Sequence, residues 1–262
     1  VADLDGDVVV EERVVVLTGA AGGLGSHVLA RLSARGARVV AVDLDGPGLE
    51  SAKTAAGGSD RVVTFVGDVT DSDSVRSFVK LAEAEWGRLD AIHNNAAIQG
   101  LVGPFVDYPE EELWRVMRTN FLSAWLGMQH AIPILKRGGG GVILNTGSTL
   151  AFRAWREVPA YVASKHALAG LTKTVALEYA KDNIRANLLC PSAMETPMLN
   201  ATAANMADGD VEAGLRMMRE MSPSGRLAQP KDVADIAVWL LLDAPAHMSG
   251  ATVSVDAAET VI

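Results

Sequence analysis

The sequence predicts an α/β fold: one doubly wound, parallel β-sheet of about seven strands with helices on both faces. Three observations predict it. Short β-branched, apolar runs recur along the chain and alternate with longer stretches of helical periodicity. The runs are apolar at consecutive positions, as in Val14–Val15–Val16–Leu17, which is how a strand buried on both faces reads. The length of 262 residues suits one large α/β domain or two small ones. With no internal repeat, low-complexity tract or linker, one domain over 1–262 is expected, with residues 1–12 as an N-terminal extension.

The first strand, Val14 to Leu17, stops at Thr18–Gly19, and the chain turns through Thr18–Gly25 into an amphipathic helix. That helix runs from about Gly23 to Arg35 and ends at Gly36. A second strand, Arg38 to Val42, leads into Asp43. A polar helix follows, then the strand Val62 to Val66, closing at Gly67–Asp68. Asp71 is a favourable N-cap for a helix to Trp86, with Gly87 behind it. Leu89 to His93 is the fourth strand, leading to Asn94–Asn95. One long helix is expected from Glu110 to about Lys136, carrying apolar Leu113, Val116, Met117, Phe121 and Leu122. Gly138 to Gly141 lead into the strand Val142 to Asn145. The next helix, with Tyr161 and Lys165, extends through Leu168, Leu171, Val175 and Leu177 to about Lys181. Ile184 to Cys190 is a sixth strand broken by Pro191, and an irregular stretch follows. Pro230 sits where a first-turn proline is tolerated, ahead of a helix over Lys231 to Leu242, and Thr252 to Val255 is the seventh strand.

About half of the residues are apolar (49%) and a fifth charged (21%), as in soluble globular enzymes. The net charge of −9 argues against nucleic acid or an anionic membrane as partner, since neutralising phosphate needs clustered Lys and Arg. One cysteine, Cys190, excludes an internal disulfide or a cysteine-rich metal site, and the five histidines show no ligand spacing, so no metal is expected. The N-terminus is acidic and lacks a signal peptide's basic region, and no apolar run approaches the ~18 residues of a membrane span. A cytoplasmic location is the expectation.

Chemistry enters at the turn after the first strand, Thr18–Gly19–Ala20–Ala21–Gly22–Gly23–Leu24–Gly25. Glycines between a strand and a helix let the backbone turn tightly and approach a pyrophosphate, which the helix N-terminus then stabilises. Asp43, at the end of the second strand, can accept both hydroxyls of an adenosine ribose and would repel a 2′-phosphate. No Lys or Arg lies within the glycine turn to offset that repulsion, and Arg38 and Lys53 read as solvated. A Rossmann-type site for NAD, in preference to NADP, follows.

A second constellation is Ser148, Tyr161 and Lys165. Tyr161 and Lys165 are four residues apart and share one face of a helix. A cation one turn from a phenol favours the phenolate, bringing a group of ordinary pKa near ~10 closer to neutrality. Such a phenol can take a proton from an alcohol or give one to a carbonyl, and Ser148 could hydrogen-bond the same oxygen.

Together these residues resemble the short-chain dehydrogenase/reductase family of about 250 residues. The resemblance runs from Arg13 to Asp256: TGAAGGLG for the TGxxxGxG turn, Asp68–Val69 on the adenine side, Asn94–Asn95–Ala96–Ala97 for NNAG, Asn120, Ser148, and YVASK at 161–165. It implies a tetrad of Asn120, Ser148, Tyr161 and Lys165. Tyr161 would be the acid/base, Ser148 would polarise the substrate oxygen, Lys165 would hold the nicotinamide ribose and lower the tyrosine pKa, and Asn120 would hold a relay water. The bland alternative for Asn120 is a buried amide satisfied by backbone. The implied NAD groove runs along Gly19, Gly22, Gly23, Leu24, Gly25, Asp43, Leu44, Asp68, Val69, Asn95, Ala96, Ala97, Tyr161, Lys165, Pro191 and Thr196, with Thr196 against the carboxamide. Three departures from the family pattern bear on loop geometry: Ala97 for the glycine of NNAG, Ser192 for that of PG, and Asp256–Ala257–Ala258 for DGG.

The resemblance also implies a substrate lid over about 193–222, which holds six of the chain's nine methionines. Flexible thioethers adapt to apolar shapes, although Met217, Met218 and Met221 could instead pack a lid helix. Ile98, Leu150, Phe152, Trp155, Met194 and Met198 are candidate substrate walls. Arg153 and Arg156 could meet a substrate carboxylate or be solvated. The expected activity is NAD(H)-dependent interconversion of a secondary alcohol, cyclic or otherwise apolar, and its ketone. The alternative is a non-catalytic NAD-binding regulator or scaffold on the same fold. By resemblance alone, homotetramers (or homodimers) would form through the two long helices.

Overall fold

The computed structural model describes residues 12–261, so the expected N-terminal extension lies outside the described residues except for Glu12. Seven strands form one parallel sheet in the order β3-β2-β1-β4-β5-β6-β7. They are β1 (Val14–Thr18), β2 (Arg38–Asp43), β3 (Val62–Val66), β4 (Ala91–Asn94), β5 (Gly141–Thr146), β6 (Ile184–Pro191) and β7 (Thr252–Val255). Between them run α1 (Gly23–Ala34), α2 (Gly46–Ala55), α3 (Ser72–Trp86), α4 (Glu110–Met117), α5 (Ser123–Arg137), α6 (Pro159–Glu178), α7 (Asn200–Met206), α8 (Val211–Met221) and α9 (Pro230–Leu242).

Strand alternation divides the core into two layers. Val14 and Val16 point to the side covered by α3, α5 and α6, where Phe78, Leu135 and Leu168 are buried. Val15 and Leu17 point to the side covered by α1, α2 and α9, with Leu29, Leu49 and Val238. Asp71 caps α3 through hydrogen bonds from Asp73 N and Ser74 N, and Gly87 ends it at φ 73°. A small third cluster, Ala203, Leu215, Met218 and Leu227, holds α7 and α8 together away from the main layers.

Three expectations are corrected. The fourth strand starts at Ala91, because the Asp90 side chain turns back to accept from Val14 N at 2.8 Å. The single helix expected over 110–136 is two α-helices joined by a π-helical turn, Arg118–Leu122, and such turns mark places where one side chain is re-aimed. The stretch after β6 is not irregular: α7 and α8 lie in it, the latter capped by Asp210 through Ala213 N.

Candidate active site

In a parallel sheet every strand ends at one edge, so the loops after β1, β2, β4, β5 and β6 gather there. The turn after β1 has room for glycine alone at two positions. A Cβ on Gly25 would lie 1.9 Å from the Gly19 carbonyl oxygen, and Gly19 itself has φ 67° with a would-be Cβ 2.9 Å from Ala96 Cα. At the start of α1, Gly22 offers no side-chain cap and the first turn holds no acidic residue. Its backbone N–H groups and the helix dipole therefore face outward uncompensated, and a phosphate anion fits this cradle.

The turn is braced from the neighbouring loop. Thr18 Oγ1 accepts from Asn95 N (3.0 Å) and Ala96 N (3.1 Å), while Asn95 Nδ2 donates to the carbonyls of Thr18 (3.1 Å) and Gly19 (3.3 Å). Thr146 Oγ1 donates to Asn95 Oδ1 at 3.1 Å and meets His93 Nε2 at 2.8 Å, which places the imidazole proton on Nε2. Burial pushes the His93 pKa down to about 3, so it stays neutral. Thr18 stood in the sequence only as the first residue of the glycine turn, and Thr146 and His93 were not singled out. Their only signal was polarity at strand ends that otherwise read as apolar.

Asp43 ends β2 with Oδ2 accepting from Ala21 N (3.0 Å) and Oδ1 from Asp45 N (3.2 Å), beside exposed Leu44. Asp68 accepts from Thr70 N at 2.8 Å and Val69 is buried. Thr196 lies over the glycine turn: a Cβ on Gly23 would come within 2.6 Å of its Cγ2. Pro191, the last residue of β6, is buried beside β7.

On the cavity side, Tyr161 projects from the first turns of α6 and Ser148 caps a short 3₁₀ turn after β5, its hydroxyl accepting from Leu150 N at 3.1 Å. Burial raises the Tyr161 pKa to about 12, and a hydrogen bond with the Ser148 side chain opposes the rise. Lys165, fully buried one turn on, lies with Nζ 5.4 Å from the Tyr161 ring centre and donates to the Thr146 carbonyl at 2.8 Å. Burial lowers its own pKa to about 8. In the protein alone burial thus moves the phenol upward, opposite in direction to the shift that the helical spacing implies. Cys190 sits against both groups, and burial raises its thiol to about 11, so it stays neutral.

Asn120 is carried by the π turn and is buried. Its Oδ1 accepts from Ile98 N (2.8 Å), and its Nδ2 donates to Ile98 O (2.8 Å) and Ser164 Oγ (3.1 Å). Both amide hydrogens are thus committed, one to the loop after β4 and one to α6.

A cavity of about 550 Å³ opens over Tyr161 and Ser148. Leu150, Phe152, Trp155, Met194 and Met198 line it, and so does Thr196, which joins it to the glycine turn. Ile98 does not: its backbone is tied to Asn120, and Gln99 beside it lines the wall. Of the α8 methionines, Met218 and Met221 face the cavity, whereas Met217 is outside the lining and exposed. Arg226 and Leu227 just past the lid, and Glu259 and Thr260 from the chain's end, also line it. Nothing in local sequence pattern brings residues 259 and 260 to residue 153. Ala97 and Ser192 keep negative φ, while Ala257 (φ 49°) and Ala258 (φ 69°) take the left-handed backbone of glycines. Among the described residues no helix is long and apolar enough to cross a membrane, and no group of three or more potential metal ligands gathers.

A family model described as enoyl-(acyl carrier protein) reductase matches residues 19–257. The chain is 30% identical over 252 residues to levodione reductase of Leifsonia aquatica (95% of this chain, 94% of the other). It is 33% identical over 251 residues to cis-4-hydroxycyclohexanecarboxylate dehydrogenase of Sinomonas cyclohexanicum (96% and 98%). It is 31% identical over 255 residues to cyclohexanol dehydrogenase of an Acinetobacter strain (95% of each). Among solved structures, that of levodione reductase superposes with a TM-score of 0.92 (30% identity, 95% of this chain, 98% of the other). A 3-ketoacyl-(acyl-carrier-protein) reductase from Brucella melitensis complexed with NADH superposes with a TM-score of 0.87 (29% identity, 96% and 99%).

Proposed function

The chain belongs to the short-chain dehydrogenase/reductase family, and from that premise we propose that it is an NAD(H)-dependent oxidoreductase interconverting a cyclic, apolar secondary alcohol and its ketone. One observation carries the reading. Tyr161 and Ser148 stand together in an apolar-walled cavity that reaches the glycine turn through Thr196. Relatives named for the dehydrogenation of cyclohexanol and of cis-4-hydroxycyclohexanecarboxylate support a ring substrate.

The bound dinucleotide supplies the hydride acceptor or donor and, when oxidised, a positive charge. The turn Gly19–Gly25 and the α1 N-terminus would hold its phosphates. Asp43 would hold the adenosine ribose, and its charge favours NAD over a 2′-phosphorylated cofactor. Lys165 gives one N–H to Thr146 and keeps two for a ribose hydroxyl. Ser148 orients and polarises the substrate oxygen, and Tyr161 exchanges the proton with it. A phenol near 12 is a ready proton donor to a ketone. In the oxidising direction it needs added positive charge to act as base. Asn120 is a positioning residue, fixing the loop after β4 against α6. Residues 193–222 close over the ring as a lid. The exposed Trp114 of α4 and Trp125 of α5 support self-association through the long helices, as a tetramer or dimer, which light scattering checks.

The test is a panel of cyclic and aliphatic secondary alcohols with NAD and then NADP, followed by the absorbance of reduced nicotinamide. Turnover of cyclohexanol-type substrates with NAD is expected. Equal turnover of small sugars, or a preference for NADP, would refute the substrate or cofactor assignment.

A further inference from the structure

Three charged side chains reach the cavity: Arg153, Arg226 and Glu259. Arg226 is 69% exposed and 3.7 Å from Asp232, so water screens it. Arg153 and Glu259 are only 27% and 22% exposed, with Arg153 Nη1 2.8 Å from Glu259 Oε1. The same nitrogen donates to the Glu259 carbonyl at 3.2 Å, and the guanidinium lies over the Trp155 ring at 5.9 Å from its centre. The carboxylate is delivered by a stiff segment. Asp256 accepts from Thr260 N (3.1 Å), Thr260 Oγ1 (2.5 Å) and Ala258 N (3.3 Å), bending the chain through left-handed Ala257 and Ala258.

Resting on the ring-alcohol reading above, we infer that the Arg153–Glu259 pair is a charge filter that confines the site to uncharged ring substrates. One arm of the guanidinium, Nη1, is taken by the carboxylate and carbonyl oxygens of Glu259, and the carboxylate compensates the charge of the cation. A second carboxylate entering the cavity would lose its water, find no unpaired cation among the described inner-wall residues and face the charge of Glu259. A neutral ring carrying hydroxyl, keto or methyl groups meets no such cost. Without the Glu259 charge the same arginine becomes a carboxylate clamp. The pair therefore separates this chain from a site built for a ring carboxylate.

The probes are cyclohexanecarboxamide and cyclohexanecarboxylate, nearly equal in shape and different in charge. Their binding is measured by calorimetry on the NADH-loaded full chain. Wild type should bind the amide at least about tenfold tighter than the carboxylate, and Glu259→Gln should shift that ratio toward the carboxylate by about tenfold or more. Arg153→Gln, which leaves Glu259 uncompensated, should widen the wild-type preference and decides the matter should Glu259→Gln not fold. Equal binding of the two probes by wild type, binding of neither, or a ratio unmoved by these substitutions overturns the filter. Turnover of cyclohexanol is measured in parallel. If it persists while the ratio does not move, the filter alone fails. If it is absent, the ring-alcohol reading fails as well.

Discussion

Glycine substitutions at the departures from the family pattern should have opposite effects on stability. Ala257 and Ala258 stand at φ 49° and 69°, where a Cβ crowds the carbonyl, while Ala97 and Ser192 are not among the positive-φ residues. A left-handed L-residue costs about 1–2 kcal/mol, and glycine gives back about 0.4–1 kcal/mol in unfolded-chain entropy. Ala257→Gly with Ala258→Gly should thus stabilise by about 1–2 kcal/mol in total. Ala97→Gly with Ser192→Gly relieves no strain and should destabilise by about 1–2 kcal/mol for the pair. In a chain of this size that is a Tm rise of about 2–8 °C for the first pair and a comparable fall for the second. Thermal and urea unfolding at one fixed protein concentration read both, because self-association would otherwise move the midpoint. Shifts of the same sign in the two pairs, or a first pair that is neutral or destabilising, would refute the backbone argument.

Gly25→Ala puts a methyl 1.9 Å from the Gly19 carbonyl, so the turn must open. It should destabilise by about 1–3 kcal/mol and raise the NADH Kd, read by fluorescence titration, by at least about a hundredfold. Asp43→Asn keeps an acceptor for Ala21 N but removes the charge, and should raise the NADP-to-NAD ratio of kcat/KM by about tenfold. Lys165 has a folded pKa of about 8 against 10.5, so the folded protein binds fewer protons than the unfolded chain between those values. Its burial penalty is complete below pH 8 and falls as pH rises. The stability of wild type minus that of Lys165→Met should therefore climb from pH 8 to 10, by an amount on the order of 3 kcal/mol at most. Denaturant titrations at each pH check the sign.

Strands and most helices were legible because their signals are local: consecutive apolar residues in β1 and β2, Asp71 ahead of α3, Gly36 and Gly87 behind α1 and α3. The π turn at Asn120 was not, since its residues keep helical propensity and the extra residue is accommodated by tertiary packing. For the site, the glycine turn and the Tyr161–Lys165 spacing are sequence-local and could be read directly. Glu259 could not be, because its partner Arg153 is 106 positions away and only the β6–β7 pairing brings the chain's end to the cavity. Ile98 was misplaced because alternation cannot tell that Asn120 claims its backbone. The sign of the Tyr161 shift depends on how deeply the phenol is buried, which helical spacing does not encode.

The most direct measurement is single-turnover hydride transfer by Tyr161→Phe with NAD and a cyclic alcohol. The ring keeps its packing and loses only the hydroxyl that shares the cavity with Ser148. The account predicts a rate lower by about 10²–10⁴-fold, with NADH affinity and Tm close to wild type. A rate within about threefold of wild type in a folded, cofactor-binding variant would contradict it.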